Sequence, residues 1–182
     1  MAGESGTRRS AKKSLDESFH RLPRQRSDVL TVADIDEDGF QDVLVAAESS
    51  KQGQVVILRR LDSAGDAWKE YVIPHPQQTG SAKAVVVGDI DLDGNKDIVF
   101  SCESANPPKS GVMWLSYDKG PFDGDWRAHD ISGPKGIKYD RMEMLDIDHD
   151  GDLDIITCEE RENKKGLGLF WYENTLSGRK ND

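Results

Sequence analysis

Asp89-Ile90-Asp91-Leu92-Asp93-Gly94-Asn95-Lys96-Asp97 carries carboxylates at positions 1, 3, 5 and 9 of a nine-residue tract, with glycine at position 6. Oxygen ligands at that spacing, around a residue that permits a sharp turn, describe a loop wrapped on a hard cation. The pattern returns as Asp34-Ile35-Asp36-Glu37-Asp38-Gly39-Phe40-Gln41-Asp42 and as Asp146-Ile147-Asp148-His149-Asp150-Gly151-Asp152-Leu153-Asp154. The tracts begin 55 and then 57 residues apart, which marks a repeat array and does not read as a single-site enzyme.

Calcium suits such loops because it accepts about 6–8 oxygens at varied distances, whereas magnesium demands tighter octahedral geometry and keeps its waters. The expected side-chain ligands are Asp34, Asp36, Asp38 and Asp42, then Asp89, Asp91, Asp93 and Asp97, then Asp146, Asp148, Asp150 and Asp154. A backbone carbonyl from position 7 (Phe40, Asn95 or Asp152) is expected to join each set, giving about three Ca2+ ions per chain. An EF-hand is excluded twice. Position 12 is Val45, Phe100 or Thr157 where that motif needs a bidentate glutamate, and the flanks alternate as strands.

The middle copy shows the full repeat. Lys83 to Gly88 is an apolar strand leading into the loop, and Asp97 to Cys102 is a second strand leaving it. After the turn at Asn106-Pro107-Pro108, Gly111 to Tyr117 makes a third strand and Trp126 to Ile131 alternates as a fourth. The first copy matches with Ser27 to Ala33, Asp42 to Ala47, Gln54 to Leu61 and Trp68 to Ile73. The third offers Arg141 to Leu145, Leu153 to Cys158 and Leu167 to Tyr172, and lacks a fourth. Four antiparallel strands per repeat predict an all-β chain of propeller blades, over about 27–74, 83–132 and 140–174. Residues 18–23 resemble the end of a fourth strand and are expected to complete a blade, between a disordered tail at 1–17 and a polar tail at 177–182.

The three loops, the Asp97-Ile98-Val99 sequence after the middle loop and the ending Trp171-Tyr172-Glu173-Asn174 resemble FG-GAP/VCBS repeats, the blade type of integrin alpha-subunit propellers. The likeness spans roughly residues 19–175. It implies that calcium rigidifies the hairpin of each blade, with the aspartates named above as ligands. It also implies an extracellular or periplasmic place, although no secretion-signal pattern opens the chain. A Phe-Gly…Gly-Ala-Pro tract is absent, which brings the chain closer to the VCBS form. Three blades' worth of strands is fewer than the roughly 4–8 that close a ring. The chain is therefore expected to self-associate, as half of a dimeric six-bladed ring, or to be joined by the remaining blades of a larger protein.

Charge agrees with a metal role. The chain carries 24 Lys and Arg against 34 Asp and Glu, a formal −10, and the loops hold 12 of those carboxylates at ligand positions. Nucleic acid is not an expected partner, because dense basic sequence is confined to Arg8 to Lys13 and a looser Arg21, Arg24, Arg26 group. No apolar run approaches the roughly 18 residues of a membrane span. Cys102 and Cys158 fall at nearly matching places in successive repeats and are expected as buried thiols without a disulfide.

The sequence holds no phosphate cradle, nucleophile elbow or zinc-type Cys/His spacing, so no catalytic residue is assigned. Glu48, Glu103 and Glu160 each lie 14 residues beyond the first aspartate of their loop and read as solvated strand ends. His20 and His129 share an outer-strand place, and His149, at position 4 of its loop, is expected to point outward. The least repetitive stretch, Gly136 to Glu143, offers one alternative site: Tyr139 to stack on a sugar, with Arg141 and Glu143 or Glu160 to bind hydroxyls or a carboxylate. The leading expectation is a non-catalytic calcium-binding β-propeller module with a binding or scaffolding role, its ligand a glycan or a protein. The alternatives are a lectin-like propeller for glycans and the propeller part of a carbohydrate-active lyase or dehydratase.

Overall fold

Turn signals and alternation resolve into eleven strands in the computed structural model, which describes residues 29–47, 54–160 and 166–176. The first sheet orders β1 (Leu30–Ala33), β2 (Asp42–Ala47), β3 (Gln54–Arg60) and β4 (Trp68–Ile73) side by side. The second does the same with β5 (Ser81–Gly88), β6 (Asp97–Glu103), β7 (Val112–Ser116) and β8 (Arg127–Asp130). The third pairs β9 (Tyr139–Leu145), β10 (Asp154–Glu159) and β11 (Gly168–Tyr172), with β10 in the middle. Every pairing between these neighbours is antiparallel. The chain is all-β over the described residues, in three propeller-like blades that do not close into a barrel. No described helix is long and apolar enough to cross a membrane. The expected strand at 18–23, both tails, His20 and Glu48 lie outside the described residues.

Strand position within a blade explains strand composition. β6 is flanked on both edges and covered on both faces, so Asp-Ile-Val-Phe-Ser-Cys is buried throughout. β8 is an outer strand, and Arg-Ala-His-Asp is mostly exposed. The blades stack face to face. Leu44, Val55, Ile57 and Ile73 of the first blade meet Ile98, Phe100, Met113 and Leu115 of the second in one core. The opposite face of the second blade, through Ala84, Val99 and Val112, meets Tyr139, Met142 and Ile155 of the third in another. Fully burying one such large apolar side chain stabilises by about 1.5–3 kcal/mol. The blades are thus held by their sides rather than by interiors of their own.

The two cysteines are offset by one position, and this decides their surroundings. Cys102 pairs across to Ala82 and points into the core between the first two blades, while Cys158 pairs to Leu169 on the outward face of the third. Both are free thiols, Cys102 buried and Cys158 half-buried.

Candidate metal centres

Each aspartate tract is the hairpin joining the first two strands of its blade, and its backbone is the same in all three copies. The position 1 carboxylate accepts hydrogen bonds from two N–H groups further along. Asp34 accepts from Asp38 and Gly39 at 3.0 Å each, Asp89 from Asp93 at 3.1 Å and Gly94 at 3.0 Å, Asp146 from Asp150 and Gly151 at 3.2 Å each. The position 5 carboxylate accepts from the N–H of position 7, at 2.9 Å for Asp38 and Phe40, 2.7 Å for Asp93 and Asn95, and 3.3 Å for Asp150 and Asp152. Glycine at position 6 has φ of +90°, +92° and +102° in the three loops, the left-handed region where a Cβ is strained. Position 4 is also left-handed, with φ of 58° at Glu37, 59° at Leu92 and 64° at His149. That conformation costs about 1–2 kcal/mol for a residue with a side chain. It is repeated three times at residues with no chemistry in common, so the loop geometry imposes it. His149 is exposed, as its place between ligands implies.

The turns fold the carboxylates of positions 1, 3 and 9 together. Oxygens of Asp34, Asp36 and Asp42 lie within 4.8 Å of one another, as do those of Asp89, Asp91 and Asp97, and of Asp146, Asp148 and Asp154. Position 9 opens the second strand and is buried, with one oxygen held by the position 2 N–H: Ile35 to Asp42 at 3.3 Å, Ile90 to Asp97 at 3.0 Å, Ile147 to Asp154 at 3.0 Å. The other oxygen of Asp42 accepts from Arg60 N at 2.8 Å, and that of Asp154 from Asn174 N at 2.9 Å. In the middle blade the matching oxygen, Asp97 Oδ1, is buried and has no hydrogen-bond partner. Asp36 Oδ1 is in the same state. Burial, with Asp91, Asp93 and Asp89 nearby, pushes the Asp97 carboxyl up to about 7 against the opposing Ile90 hydrogen bond. Burial also raises Asp36 and Asp42. Three carboxylates gathered within 4.8 Å, one of them buried with an unpartnered oxygen, are what a hard cation would satisfy. The residues present fit a calcium ion. Position 5 stands beside each cluster rather than in it, with its Oδ1 engaged by the turn.

Residues 34–100 match the family model of the FG-GAP-like repeat, from the first loop through the second and into β6. This stretch is similar to an FG-GAP-like repeat. No match was found among curated proteins. The matched residues hold two loops and the part of the first blade-to-blade core that precedes Cys102, Ala105, Met113 and Leu115. The third loop, Asp146 to Asp154, lies beyond the match and repeats the same hydrogen bonds.

The alternative sugar site does not assemble. Tyr139 is fully buried, so it offers no platform on which a sugar could stack. Its hydroxyl donates to Lys135 O at 2.5 Å and lies 3.0 Å from the Tyr172 hydroxyl, while its ring packs over Gly111 in the core between the second and third blades. A β-bulge explains the misreading. Met142 pairs with Thr157 and Tyr139 with Glu159, so an extra residue on β9 keeps Tyr139 and Met142 on one inward face. Arg141 and Glu143 are exposed and pair with each other at 3.2 Å, while Glu160 pairs with Lys138 at 2.9 Å. Arg141 and Glu143 edge an open groove of about 410 Å³ between β1, β5 and β9. Glu103 pairs with Lys83 at 3.6 Å. His129 stacks on Trp114 at 3.9 Å and contacts Ser116 Oγ at 2.9 Å, a half-buried packing role.

The residue that sequence reading missed at the candidate metal centres is Arg59. It reaches from β3 to Asp36 at 2.5 Å and Asp38 at 3.1 Å. No local pattern marks it, since it stands 21 residues from Asp38 and is brought there by strand pairing.

Proposed function

We propose that the chain is a calcium-binding β-propeller module with a binding or scaffolding role, acting outside the cytoplasm. The observation that carries this reading is the cluster of three carboxylates that recurs with the same loop geometry in each blade, and that in the second blade includes the buried Asp97 with one oxygen unpartnered. Asp34, Asp36 and Asp42, Asp89, Asp91 and Asp97, and Asp146, Asp148 and Asp154 would hold the ions. Asp38, Asp93 and Asp150 and the carbonyls of Phe40, Asn95 and Asp152 would complete the shells. When bound, calcium supplies charge neutralisation that clamps the first two strands of each blade. Without it the carboxylates repel, so metal affinity becomes folding free energy. Sites of this kind in extracellular modules bind at about 10⁻⁴–10⁻³ M, which suits a calcium-rich compartment. Native mass spectrometry with thermal unfolding in calcium and in EDTA tests the reading. Bound calcium and a melting temperature lowered by EDTA are expected; no bound ion and no chelator effect would refute it.

A second part of the proposal concerns assembly, and the exposed ends of the array favour it. Leu169 and Trp171 on β11 are 79 % and 54 % exposed. By strand register they stand where Val112 and Trp114 of the second blade pack on the third, and where Val55 and Ile57 of the first pack on the second. At the other end Leu30 and Val32 are 59 % and 53 % exposed, at the places from which Val85 and Val87 pack on the preceding blade. The two faces are complementary by repetition, and a second copy docking head to tail would cover both. Two chains would then supply six blades' worth of sheet. Sedimentation showing a dimer in calcium would support this; a monomer at all concentrations would refute it.

A further inference from the structure

The first metal loop differs from the other two by a resident cation. Arg59 Nη2 lies 2.5 Å from Asp36 Oδ2 and 3.1 Å from Asp38 Oδ2, so the guanidinium binds positions 3 and 5 of that loop together. Its placement is built. The guanidinium carbon sits 4.6 Å from the centre of the Phe122 ring, contributed by the second blade, and the side chain is only 28 % exposed. A second cation closes the same loop from the neighbouring blade: Lys96 Nζ donates to Asp34 O at 2.7 Å.

Strand register shows what the other blades place there. Arg60 N to Asp42 and Asn174 N to Asp154 are the same bond in the first and third blades, so Arg59 corresponds to Glu173. The pairings of Val43 with Leu58 and of Ile98 with Leu115 put Ser116 at that place in the second blade. One position thus carries a cation, a hydroxyl and a carboxylate beside three otherwise alike carboxylate clusters.

We infer that Arg59 acts as an internal counter-cation that holds the first loop folded without metal and makes it the weakest divalent-cation site of the three. This rests on the calcium reading of the loops and adds to it a ranking of sites. A divalent ion entering the first loop must displace the guanidinium from Asp36 or share the carboxylates with it, and arginine cannot leave by losing a proton. The second and third loops, with serine and glutamate at that place, meet no such competitor from this position. At low calcium the first blade therefore stays ordered on its arginine, while the other two hairpins respond to metal.

The test is a calcium titration of the full chain by calorimetry and native mass spectrometry, with Arg59→Met and Arg59→Lys alongside the parent. Arg59→Met keeps the length and stem that pack on Phe122 and removes the charge; Arg59→Lys keeps the charge. The parent is expected to bind two ions, with a third roughly tenfold or more weaker. Arg59→Met should bring the third site level with the others and make the protein melt earlier in EDTA, with calcium restoring it. Arg59→Lys should stay graded. Three sites of equal affinity in the parent would overturn the inference and leave the calcium reading standing. An unchanged gradation in Arg59→Met would do the same. No ion bound to the parent or to either variant would overturn both. Should Arg59→Met not fold, the parent titration alone decides.

Discussion

Replacing Asp97 with asparagine should raise stability without calcium and lower the gain from calcium, an inversion that follows from its surroundings. The Asp97 carboxyl is fully buried and pushed from 3.8 up to about 7, first by burial and then by Asp91, Asp93 and Asp89. The folded state therefore holds this proton more tightly than the unfolded chain does. Stability of the metal-free protein falls as pH rises from about 4 to about 7 and stays low above that window. At about 1.4 kcal/mol for each tenfold in proton affinity, keeping the group ionised at pH 8 costs up to about 4 kcal/mol, and water entering the open loop reduces this toward about 2. Asparagine keeps an oxygen for the Ile90 N–H, bonded at 3.0 Å in the parent, and puts an uncharged amide beside Asp89, Asp91 and Asp93. In EDTA at pH 8 the variant should thus melt about 5–15 °C above the parent, using about 2–4 °C per kcal/mol for a chain of this size. In calcium the order should close or reverse, because a site filled at 100 times its Kd adds about 2.7 kcal/mol that the variant cannot gain. Circular dichroism melts of both proteins, in EDTA and in calcium, from pH 4 to pH 8 read all of this. A variant less stable than the parent in EDTA at pH 8, or an equal calcium shift in both, would refute the reasoning.

Three further outcomes can be checked independently. Trp171→Glu places a charge on the exposed outward face of the third blade and should shift sedimentation toward monomer while leaving calcium stoichiometry unchanged; an unaltered association would remove that face from the interface. Gly111→Ala brings a Cβ to 2.1 Å from the Tyr139 ring and should lower stability by about 1–3 kcal/mol in urea unfolding, so an unmoved midpoint would contradict the packing of the second blade on the third. In the native protein iodoacetamide should label Cys158 and spare Cys102, whose thiol is buried and pushed up to about 12; the reverse selectivity would contradict the offset of the two strands. Labelling of Cys158 should also slow as protein concentration rises if the outward face is covered in a dimer.

Features written within a few residues of chain were legible in the sequence. The nine-residue aspartate tracts, their spacing and the alternating flanks identify hairpins, strands and blade number, because a turn and a strand are decided by near neighbours. The approach of the carboxylates at positions 1, 3 and 9 also follows from one tight turn.

What only the tertiary structure decided depends on elements distant in sequence. Tyr139 reads as a surface aromatic until the bulge in β9 turns it between the second and third blades, against Gly111 and Tyr172. Asp97 and Asp42 share a sequence pattern, yet Asp42 accepts a second backbone hydrogen bond and Asp97 Oδ1 accepts none, a difference set by the third strand of each blade. The arginine in the first loop arrives through the pairing of β2 with β3 and the ring of Phe122 from the next blade. Local sequence determined that three cation-type loops would form; the faces that pack, and the charge each loop meets, were left to the assembly of the blades, because burial and Coulomb energy depend on neighbours in space rather than along the chain.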